Sequence, residues 1–208
     1  MSYEDAPTLR PRLREILAAA LAGRYGEEAV DPGAAVVLPS AEVLRRIGAL
    51  GHIALPGRRV LDLTDGIADL ARAARAAGAD LVDVVMPDED RLRIARMLCV
   101  LQDVQRVSFF EGDAALASTY ADEYDVILAF GQLGCIAPIL PRIAQNLRGV
   151  LVTDLADGDR HGAEALAETL PARETLLPSG DGSPPTVACA ADAERLNDYL
   201  APTAASAA

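Results

Sequence analysis

The sequence predicts an α/β fold built on a mainly parallel sheet that ends in an antiparallel hairpin. Along most of the chain, short apolar runs of strand length alternate with segments whose apolar residues recur at helical spacing. This alternation implies parallel strands joined by right-handed helical crossovers. Near the end, two strand-like runs, 173–177 and 186–190, flank the turn-rich stretch 178–185, which predicts a hairpin.

The composition agrees with one such domain. A chain of 208 residues is long enough to bury a sizeable core. Hydrophobic residues make up 51% of the chain and aromatic residues only 4%, so we expect Ala, Leu, Val and Ile to pack helices on a sheet. The net charge of -12 repels phosphate backbones, so nucleic acid is not an expected partner.

The first 55 residues are predicted to form a helical cap. One amphipathic stripe consists of Leu13, Ile16, Leu17, Ala20 and Leu21. A second helix is predicted after Ser40, which suits the N-cap position. The apolar face of that helix consists of Val43, Leu44, Ile47 and Leu50. The pair Pro56-Gly57 then ends the segment.

The main domain is predicted to extend over residues 56–201. We expect five strands in its body, at 58–63, 81–86, 106–110, 125–130 and 149–155. The expected helices begin near Asp69, Pro87, Ile136 and Ala163, and a shorter helix or loop occupies 114–121. Gly78 is expected to end the first of these helices. Residues 202–208 are rich in Ala and Ser and are predicted to form a frayed tail.

The cysteines and the N-terminus indicate a reducing compartment. Cys99, Cys135 and Cys189 are odd in number and widely spaced, which predicts free buried thiols rather than disulfides or a metal cluster. The N-terminus has no basic flank followed by an apolar run, and no apolar stretch reaches the length of a membrane span. We therefore expect a cytoplasmic protein with no membrane partner.

A strand, a turn and a helix start follow one another at residues 58–74. The strand contains Asp62, the turn is Thr64-Asp65-Gly66-Ile67-Ala68, and a helix opens at Asp69. This segment resembles the first strand, cofactor loop and helix of class I S-adenosylmethionine-dependent methyltransferases, whose usual text is V-L-D-L-G-x-G-x-G-x-L-A. Three later segments match the same family in order: Phe110-Glu111-Gly112-Asp113-Ala114, Tyr124-Asp125-Val126-Ile127 and Leu147-Arg148-Gly149-Val150-Leu151.

The resemblance implies a Rossmann-like methyltransferase fold over about Pro56 to Ala191, with a seven-stranded sheet whose last strand is antiparallel. It also implies a site for S-adenosyl-L-methionine at the ends of the strands. The implied cofactor-binding residues are Asp62, Thr64, Gly66, Ala68, Val85, Met86, Asp113, Ala114 and Phe130. In the family, the residue that matches Asp113 contacts the adenine amino group.

Three of these positions depart from the family text. Thr64 and Ala68 replace loop glycines, and Val85 replaces the acid that normally binds both ribose hydroxyls. Losing hydrogen bonds to a charged acceptor costs about 1.5–3 kcal/mol each. We therefore expect S-adenosyl-L-methionine to bind weakly or not at all. Asp88 or Glu89 could supply the ribose acceptor instead, the alternative being that they cap the following helix.

His161 is the candidate general base, because it follows the fifth strand, where some small-molecule O-methyltransferases keep such a residue. The alternative is a loop histidine that pairs with nearby acids. The stretch Phe130-Gly131-Gln132-Leu133-Gly134 lacks the Asn/Asp-Pro-Pro-Tyr text of enzymes that methylate amino groups of nucleic acid or protein. No cluster of Asp and His residues predicts a metal site.

Two functions remain open from the sequence. A nicotinamide site would need G-x-G-x-x-G and an acid after the second strand, whereas the chain has Gly66 alone in the loop and Val85 in the acid's place. The first function is an S-adenosylmethionine-dependent methyltransferase for a small-molecule substrate. The second is a methyltransferase-fold protein without that reaction, acting as a partner subunit, a binding module or an unrelated catalyst. A homodimer and a complex with another protein are both compatible with the sequence.

Overall fold

The fold centres on a seven-stranded sheet with helices on both faces. The computed structural model describes residues 11, 13, 15–19, 21–22, 30–31, 36–37, 39–155, 159–179 and 183–201. The strands are β1 (Val30–Asp31), β2 (Val36–Val37), β3 (Arg59–Asp62), β4 (Leu81–Met86), β5 (Val107–Glu111), β6 (Val126–Leu128), β7 (Val150–Asp154), β8 (Ala172–Leu177) and β9 (Thr186–Ala190). The helices are α1 (Ala41–Leu50), α2 (Asp69–Ala76), α3 (Glu89–Leu101), α4 (Ala115–Tyr120), α5 (Leu133–Ile136), α6 (Leu140–Asn146), α7 (Arg160–Thr169) and α8 (Ala193–Tyr199), with 3₁₀ turns at Ala121–Glu123 and Ala137–Ile139.

The strand order of the large sheet is β5-β4-β3-β6-β7-β9-β8. All neighbours from β5 to β7 are parallel, whereas β9 pairs antiparallel with both β7 and β8. In register, Asp62 at the end of β3 lies opposite Val84 of β4 and Leu128 of β6. The predicted mainly parallel seven-stranded sheet with a C-terminal antiparallel hairpin is therefore confirmed. β1 and β2 form a separate two-stranded ladder.

The two faces of the sheet are covered by different helices. α1, α2, α3 and α8 contribute to one apolar core, together with Val60, Val82 and Val84 of the sheet. α5, α6 and α7 contribute to a second core on the opposite face, around Ile127 and Leu151. Because the second set of helices is centred on β6 and β7, no described helix lies over β4 and β5 on that face.

Several boundaries agree with the sequence predictions. β4 and β9 begin and end at the predicted residues, 81–86 and 186–190. Ser40 caps α1, since its Oγ accepts the backbone N–H of Val43 at 3.2 Å. Gly78 follows α2 with a φ of +97°, a left-handed conformation that glycine adopts without steric cost.

The helix predicted from the stripe Ile136, Ile139, Leu140, Ile143 and Leu147 is interrupted. The chain instead forms α5, a 3₁₀ turn and α6 in succession. Pro138 and Pro141 explain the breaks, because proline lacks the N–H that a continuous helix needs and clashes with the preceding turn. The apolar spacing persists across the breaks, which is why the sequence pattern suggested one helix.

The apolar stripes of the N-terminal cap are only partly buried. Leu17 and Leu21 are fully buried against Ile67 and neighbouring core residues, as predicted. Ile16 and Leu44, however, are 52% and 56% exposed, so their placement on apolar faces is corrected. Each residue of a helix is turned by about 100° from the one before, which rotates Ile16 away from the face that Leu17 and Leu21 share.

Parts of the sequence predictions fall outside the described residues. These are Ala20, the tip of the hairpin connection at 180–182 and the tail 202–208. The division into a cap at 1–55 and a main domain at 56–201 stays a prediction. Among the described helices, none combines the length and apolarity needed to cross a membrane.

Candidate functional site

The turn after β3 is anchored by a buried carboxylate. Asp62 is 1% exposed, and its Oδ1 accepts the backbone N–H of Thr64 at 2.9 Å. Burial raises the pKa of Asp62 from its ordinary value of 3.8 to about 6, although hydrogen bonds from Thr64 act in the opposite direction. Burying the charged form of Asp62 therefore costs the fold stability. Asp62 is also the position where the resemblance places a cofactor-binding acid.

The position in the loop that has a positive φ is not the one that the glycines of the family motif suggest. Ala68 has a φ of +61°, in the left-handed region that costs a residue with a Cβ about 1 kcal/mol. The φ of Gly66 is not positive, and a Cβ added there would meet no described atom within 4 Å. Gly66 therefore leaves open space beside the loop, whereas the residue under conformational strain is Ala68.

A cavity of about 350 Å³ opens at the carboxyl ends of β3, β4 and β5. It brings together four residues predicted from the resemblance: Val85, Met86, Asp113 and Ala114. It also contains residues that were not among the predicted site residues: Leu63, Asp65, Pro87, Asp88, Arg91, Gln132 and Cys135. We name this space the strand-end cavity.

An ion pair crosses one side of the strand-end cavity. Arg91, in the first turn of α3, pairs with Asp65 of the loop. Its Nε is also 3.4 Å from Oδ2 of Asp88, whose Oδ1 caps α3 by accepting the backbone N–H of Arg91 at 3.0 Å. Asp88 therefore serves as a helix cap and also lines the cavity, so the two roles considered for it from the sequence coincide in position. Glu89 is exposed and is not among the residues that line this cavity.

Asp113 also lines the strand-end cavity. Its Oδ1 accepts the backbone N–H of Ala115 at 2.9 Å, which fixes the carboxylate beside the start of α4. The side chain is exposed, so its remaining lone pairs are available to a ligand. This placement suits the adenine contact that the resemblance implies.

The space beside the glycine position is much smaller than the strand-end cavity. It measures about 30 Å³ and lies between the loop and α1, with Asp62, Thr64, Gly66 and Ala68 on the loop side. Val43 and Arg46 of α1 close it from above.

Arg46 connects α1 to the carboxyl end of β7. Its Nε donates to Oδ2 of Asp154 at 2.9 Å, and its guanidinium lies 5.6 Å from the ring centroid of Phe130. Asp154 is 4% exposed at the end of β7, and its Oδ1 accepts a hydrogen bond from Thr186 Oγ1 at 2.7 Å. Sequence reasoning missed this contact because Arg46 and Asp154 are 108 positions apart and neither belongs to a family motif.

Phe130 and His161 are placed apart from the strand-end cavity. Phe130 is 1% exposed and packs below Arg46, while His161 is exposed in the first turn of α7. Neither is among the residues that line the three cavities described in the structure. The role of His161 as a general base stays a prediction.

The cysteines require one correction. All three are free thiols, and Cys99 and Cys189 are buried as predicted. Burial raises the pKa of both thiols, that of Cys189 to about 12. Cys135, in contrast, is exposed, because it lies in the short helix α5 at the rim of the strand-end cavity. It is the one thiol of the three that a reagent in solution can reach.

The strand order and the strand-end cavity define the class I methyltransferase fold. A solved structure of WbdD, described in one of its structures as a bifunctional kinase-methyltransferase, matches 77% of this chain at 17% identity with a TM-score of 0.56. The match covers 40% of WbdD, so this chain corresponds to well under half of that protein.

Two further neighbours have lengths closer to that of this chain. TYW2 of M. jannaschii, solved in complex with AdoMet, matches 75% of this chain and 78% of its own at 18% identity and a TM-score of 0.56. The precorrin-6y C5,15-methyltransferase of Geobacter metallireducens matches 73% of this chain and 89% of its own at 12% identity and a TM-score of 0.58. At these identities the likeness establishes the fold. No protein-family model and no curated protein sequence matches the chain.

Proposed function

We propose that the chain is an S-adenosylmethionine-dependent methyltransferase of the cytoplasm that acts on a small molecule and holds its cofactor weakly. One observation carries the proposal. The strand-end cavity unites Val85, Met86, Asp113 and Ala114, which the resemblance had named from separate parts of the sequence. In α/β folds, ligands bind outside the carboxyl ends of the strands, which is where this cavity lies.

The residues present fit the adenosyl half of the cofactor. Asp113 would accept a hydrogen bond from the adenine amino group, and Met86 and Ala114 would provide apolar walls. Asp65 and Asp88 line the same cavity and would offer carboxylates to the ribose in the absence of an acid at Val85. When bound, S-adenosyl-L-methionine supplies the methyl group from its sulfonium.

The methionine half meets a more closed site. The space between Gly66 and α1 is narrow, about 30 Å³ against about 350 Å³ for the strand-end cavity. We infer that α1 moves away from the loop to admit that half, against the contact between Arg46 and Asp154. Breaking a buried ion pair is costly, so this movement lowers the affinity for the whole cofactor.

The acidic surface supports a small-molecule substrate. A net charge of -12 disfavours approach to nucleic acid. The segment Phe130-Gly131-Gln132 also lacks the Asn/Asp-Pro-Pro-Tyr motif of enzymes that methylate amino groups of nucleic acid or protein. The candidate base for an acceptor hydroxyl remains His161 in α7.

The proposal is tested by calorimetry with S-adenosylmethionine, S-adenosylhomocysteine and adenosine. We expect S-adenosylhomocysteine to bind with a Kd weaker than about 1 μM, roughly -8.2 kcal/mol, and adenosine to retain most of that affinity. Asp113→Ala should remove detectable binding of both, because the adenine loses its acceptor. Asp122→Ala, at an exposed acid in the 3₁₀ turn after α4, is the charge-matched control and should bind as the parent protein does.

The exposed thiol gives the same experiment a second readout. Cys135 lines the strand-end cavity, so a bound adenosyl group should slow its modification by a thiol reagent. Loss of this protection in Asp113→Ala would place the ligand in the cavity. No binding of any of the three compounds to the folded protein would contradict the proposal and favour a methyltransferase-fold protein without the reaction.

A gain-of-binding variant tests why the cofactor is held weakly. Val85→Asp with Thr64→Gly should restore a ribose acceptor and loop freedom, and tighten S-adenosylhomocysteine binding about ten- to a hundredfold. Val85 is 7% exposed and lies on the same face of β4 as Asp83, so the new carboxylate also lowers the stability of the fold. Affinity is therefore compared on protein shown to be folded by circular dichroism. Unchanged or weaker binding by the folded variant would mean that Val85 does not occupy the acid's position.

A further inference from the structure

A third cavity lies on the part of the sheet face that α5, α6 and α7 leave uncovered. It measures about 650 Å³ and rests on β3, β4 and β5. The connection between β5 and β6 explains it, because that connection forms only the six-residue α4 and a 3₁₀ turn of three residues. We name this space the sheet-face cavity. Val85 lines both it and the strand-end cavity, so the two spaces are neighbours at this residue.

Most of the floor of the sheet-face cavity is apolar, and two aromatic side chains stand at its rim. Leu61, Leu81 and Val85 point to this face in register, since Leu61 lies opposite Asp83 and Leu81 lies opposite Arg59. Phe110 and Tyr120 stand at the rim and are 49% and 48% exposed. Exposed aromatic side chains around a concave apolar surface are typical of a ligand site.

A buried carboxylate lies in the middle of this apolar floor. Asp83 is 5% exposed, and its Oδ2 accepts a hydrogen bond from the hydroxyl of Tyr124 at 2.8 Å. Burial and the contact with Asp83 raise the pKa of Tyr124 far above its ordinary value, so the phenol stays a neutral donor. A neutral donor does not balance the charge of a buried carboxylate, which proteins normally pair with a cation.

The charges that line the cavity have an acidic excess. Three carboxylates, Asp83, Glu111 and Glu123, line it together with one guanidinium, that of Arg59. Arg59 pairs with Glu123 at 3.2 Å and lies 5.4 Å from the ring centroid of Tyr124. Its Nη2 therefore lies against Glu123, while its Nε is buried without a hydrogen-bond partner. Among the described residues, no ion pair joins Arg59 to Asp83, so Asp83 is the buried acid of the apolar floor.

From this arrangement we propose that the sheet-face cavity binds a small organic cation with an apolar or aromatic body. The ammonium group of the ligand lies against Asp83, and its body packs on Leu61, Val85 and Phe110. A volume of about 650 Å³ is within the range of roughly 300–1,000 Å³ found for small-molecule sites. The proposal is independent of cofactor binding in the strand-end cavity.

The same charges argue against a second copy of the chain as the occupant. In a two-fold symmetric dimer the same patch lies on both subunits. The acidic excess of Asp83, Glu111 and Glu123 would then face itself. Like charges brought together at an interface oppose association, whereas a cationic ligand is complementary to them.

Three naphthalene compounds of matched shape test the proposal: 2-naphthylmethylamine, 2-naphthylmethanol and 2-naphthoate. The chain contains no tryptophan, so naphthalene fluorescence can be followed during titration of the protein without a tryptophan background. We expect saturable binding of the amine, at least about tenfold weaker binding of the alcohol, and no detectable binding of the carboxylate. Equal binding of amine and alcohol, or no saturable binding of the amine, would overturn the proposal.

Two variants locate the ligand. Asp83→Asn keeps an acceptor for the Tyr124 hydroxyl but removes the charge, so it should weaken the amine about tenfold or more and leave the alcohol unchanged. Phe110→Ala, at a half-exposed position that tolerates truncation, should weaken amine and alcohol alike. Asp198→Asn, at an exposed acid of α8 on the opposite face, is the control and should leave both affinities unchanged.

The outcomes distinguish an organic cation from a second copy of the chain as the occupant of the sheet-face cavity. An unchanged amine affinity in Asp83→Asn, or a loss equal to that of the control, would show that the carboxylate is not the recognition group and would overturn the proposal. Sedimentation of the parent protein as a dimer that Phe110→Ala dissociates would assign the sheet-face cavity to a second copy and would also overturn it.

Discussion

Gly149→Ala should destabilise the fold more than any other single change considered for this chain. A Cβ at position 149 would lie 2.0 Å from the carbonyl oxygen of Asp125 and 2.6 Å from the Cζ atom of Tyr199. The carbonyl cannot withdraw freely, because it accepts the backbone N–H of Val150 at 3.0 Å at the start of the pairing between β6 and β7. Overpacking of this kind costs about 3 kcal/mol or more, a large part of the 5–15 kcal/mol typical of a domain.

Urea unfolding followed by circular dichroism measures the effect. Gly48→Ala in α1 is the control, since its Cβ would meet no described atom within 4 Å and alanine favours a helix over glycine by about 0.5–1 kcal/mol. Adding Tyr199→Leu to Gly149→Ala should restore little stability, because the closest clash is with a backbone atom. A loss below about 1 kcal/mol in Gly149→Ala would contradict the close approach of β6 and β7 at this point.

Local patterns predicted most of the fold but not the contacts that join distant elements. β4 is apolar except for Asp83, β9 is apolar after Thr186, and both are bounded by turn residues, so their ends were visible in the sequence. The interruption of the helix predicted near Ile136 was missed because apolar spacing was given more weight than Pro138 and Pro141. α8 and the ladder of β1 and β2 were not predicted, since each is short and has little periodicity of its own.

The candidate site shows the same division between local and long-range information. Asp113 and Met86, named from separate motifs, both line the strand-end cavity, because motif order fixes which strand ends meet at one edge of the sheet. The resemblance gave no sign that Arg46 of α1 would reach Asp154 and narrow the space beside Gly66. The strain at Ala68 was equally invisible, since a residue's φ follows from the packing on both sides of the turn.

The pH dependence of stability offers the second large effect. The pKa of Asp62 is about 6 in the folded protein against an ordinary value of 3.8, so the folded state holds this proton more tightly than the unfolded chain does. The contribution of Asp62 to stability is therefore complete below about pH 4, declines between pH 4 and pH 6, and is lost above pH 6. A difference of about two pKa units corresponds to about 3 kcal/mol.

Asp62→Asn should remove this cost while keeping an oxygen that accepts the N–H of Thr64. The variant should match the parent protein in unfolding free energy near pH 4 and exceed it by up to about 3 kcal/mol above pH 6. Asp198→Asn, at an exposed acid, should show no such divergence. Urea unfolding at pH 4, 5, 6 and 7 measures the difference, and a variant less stable than the parent at pH 7 would show that the charge of Asp62 stabilises the loop. If the expected gain is found, Asp62→Asn should also weaken S-adenosylhomocysteine at pH 7, because a carboxylate kept at a cost in stability is expected to serve binding.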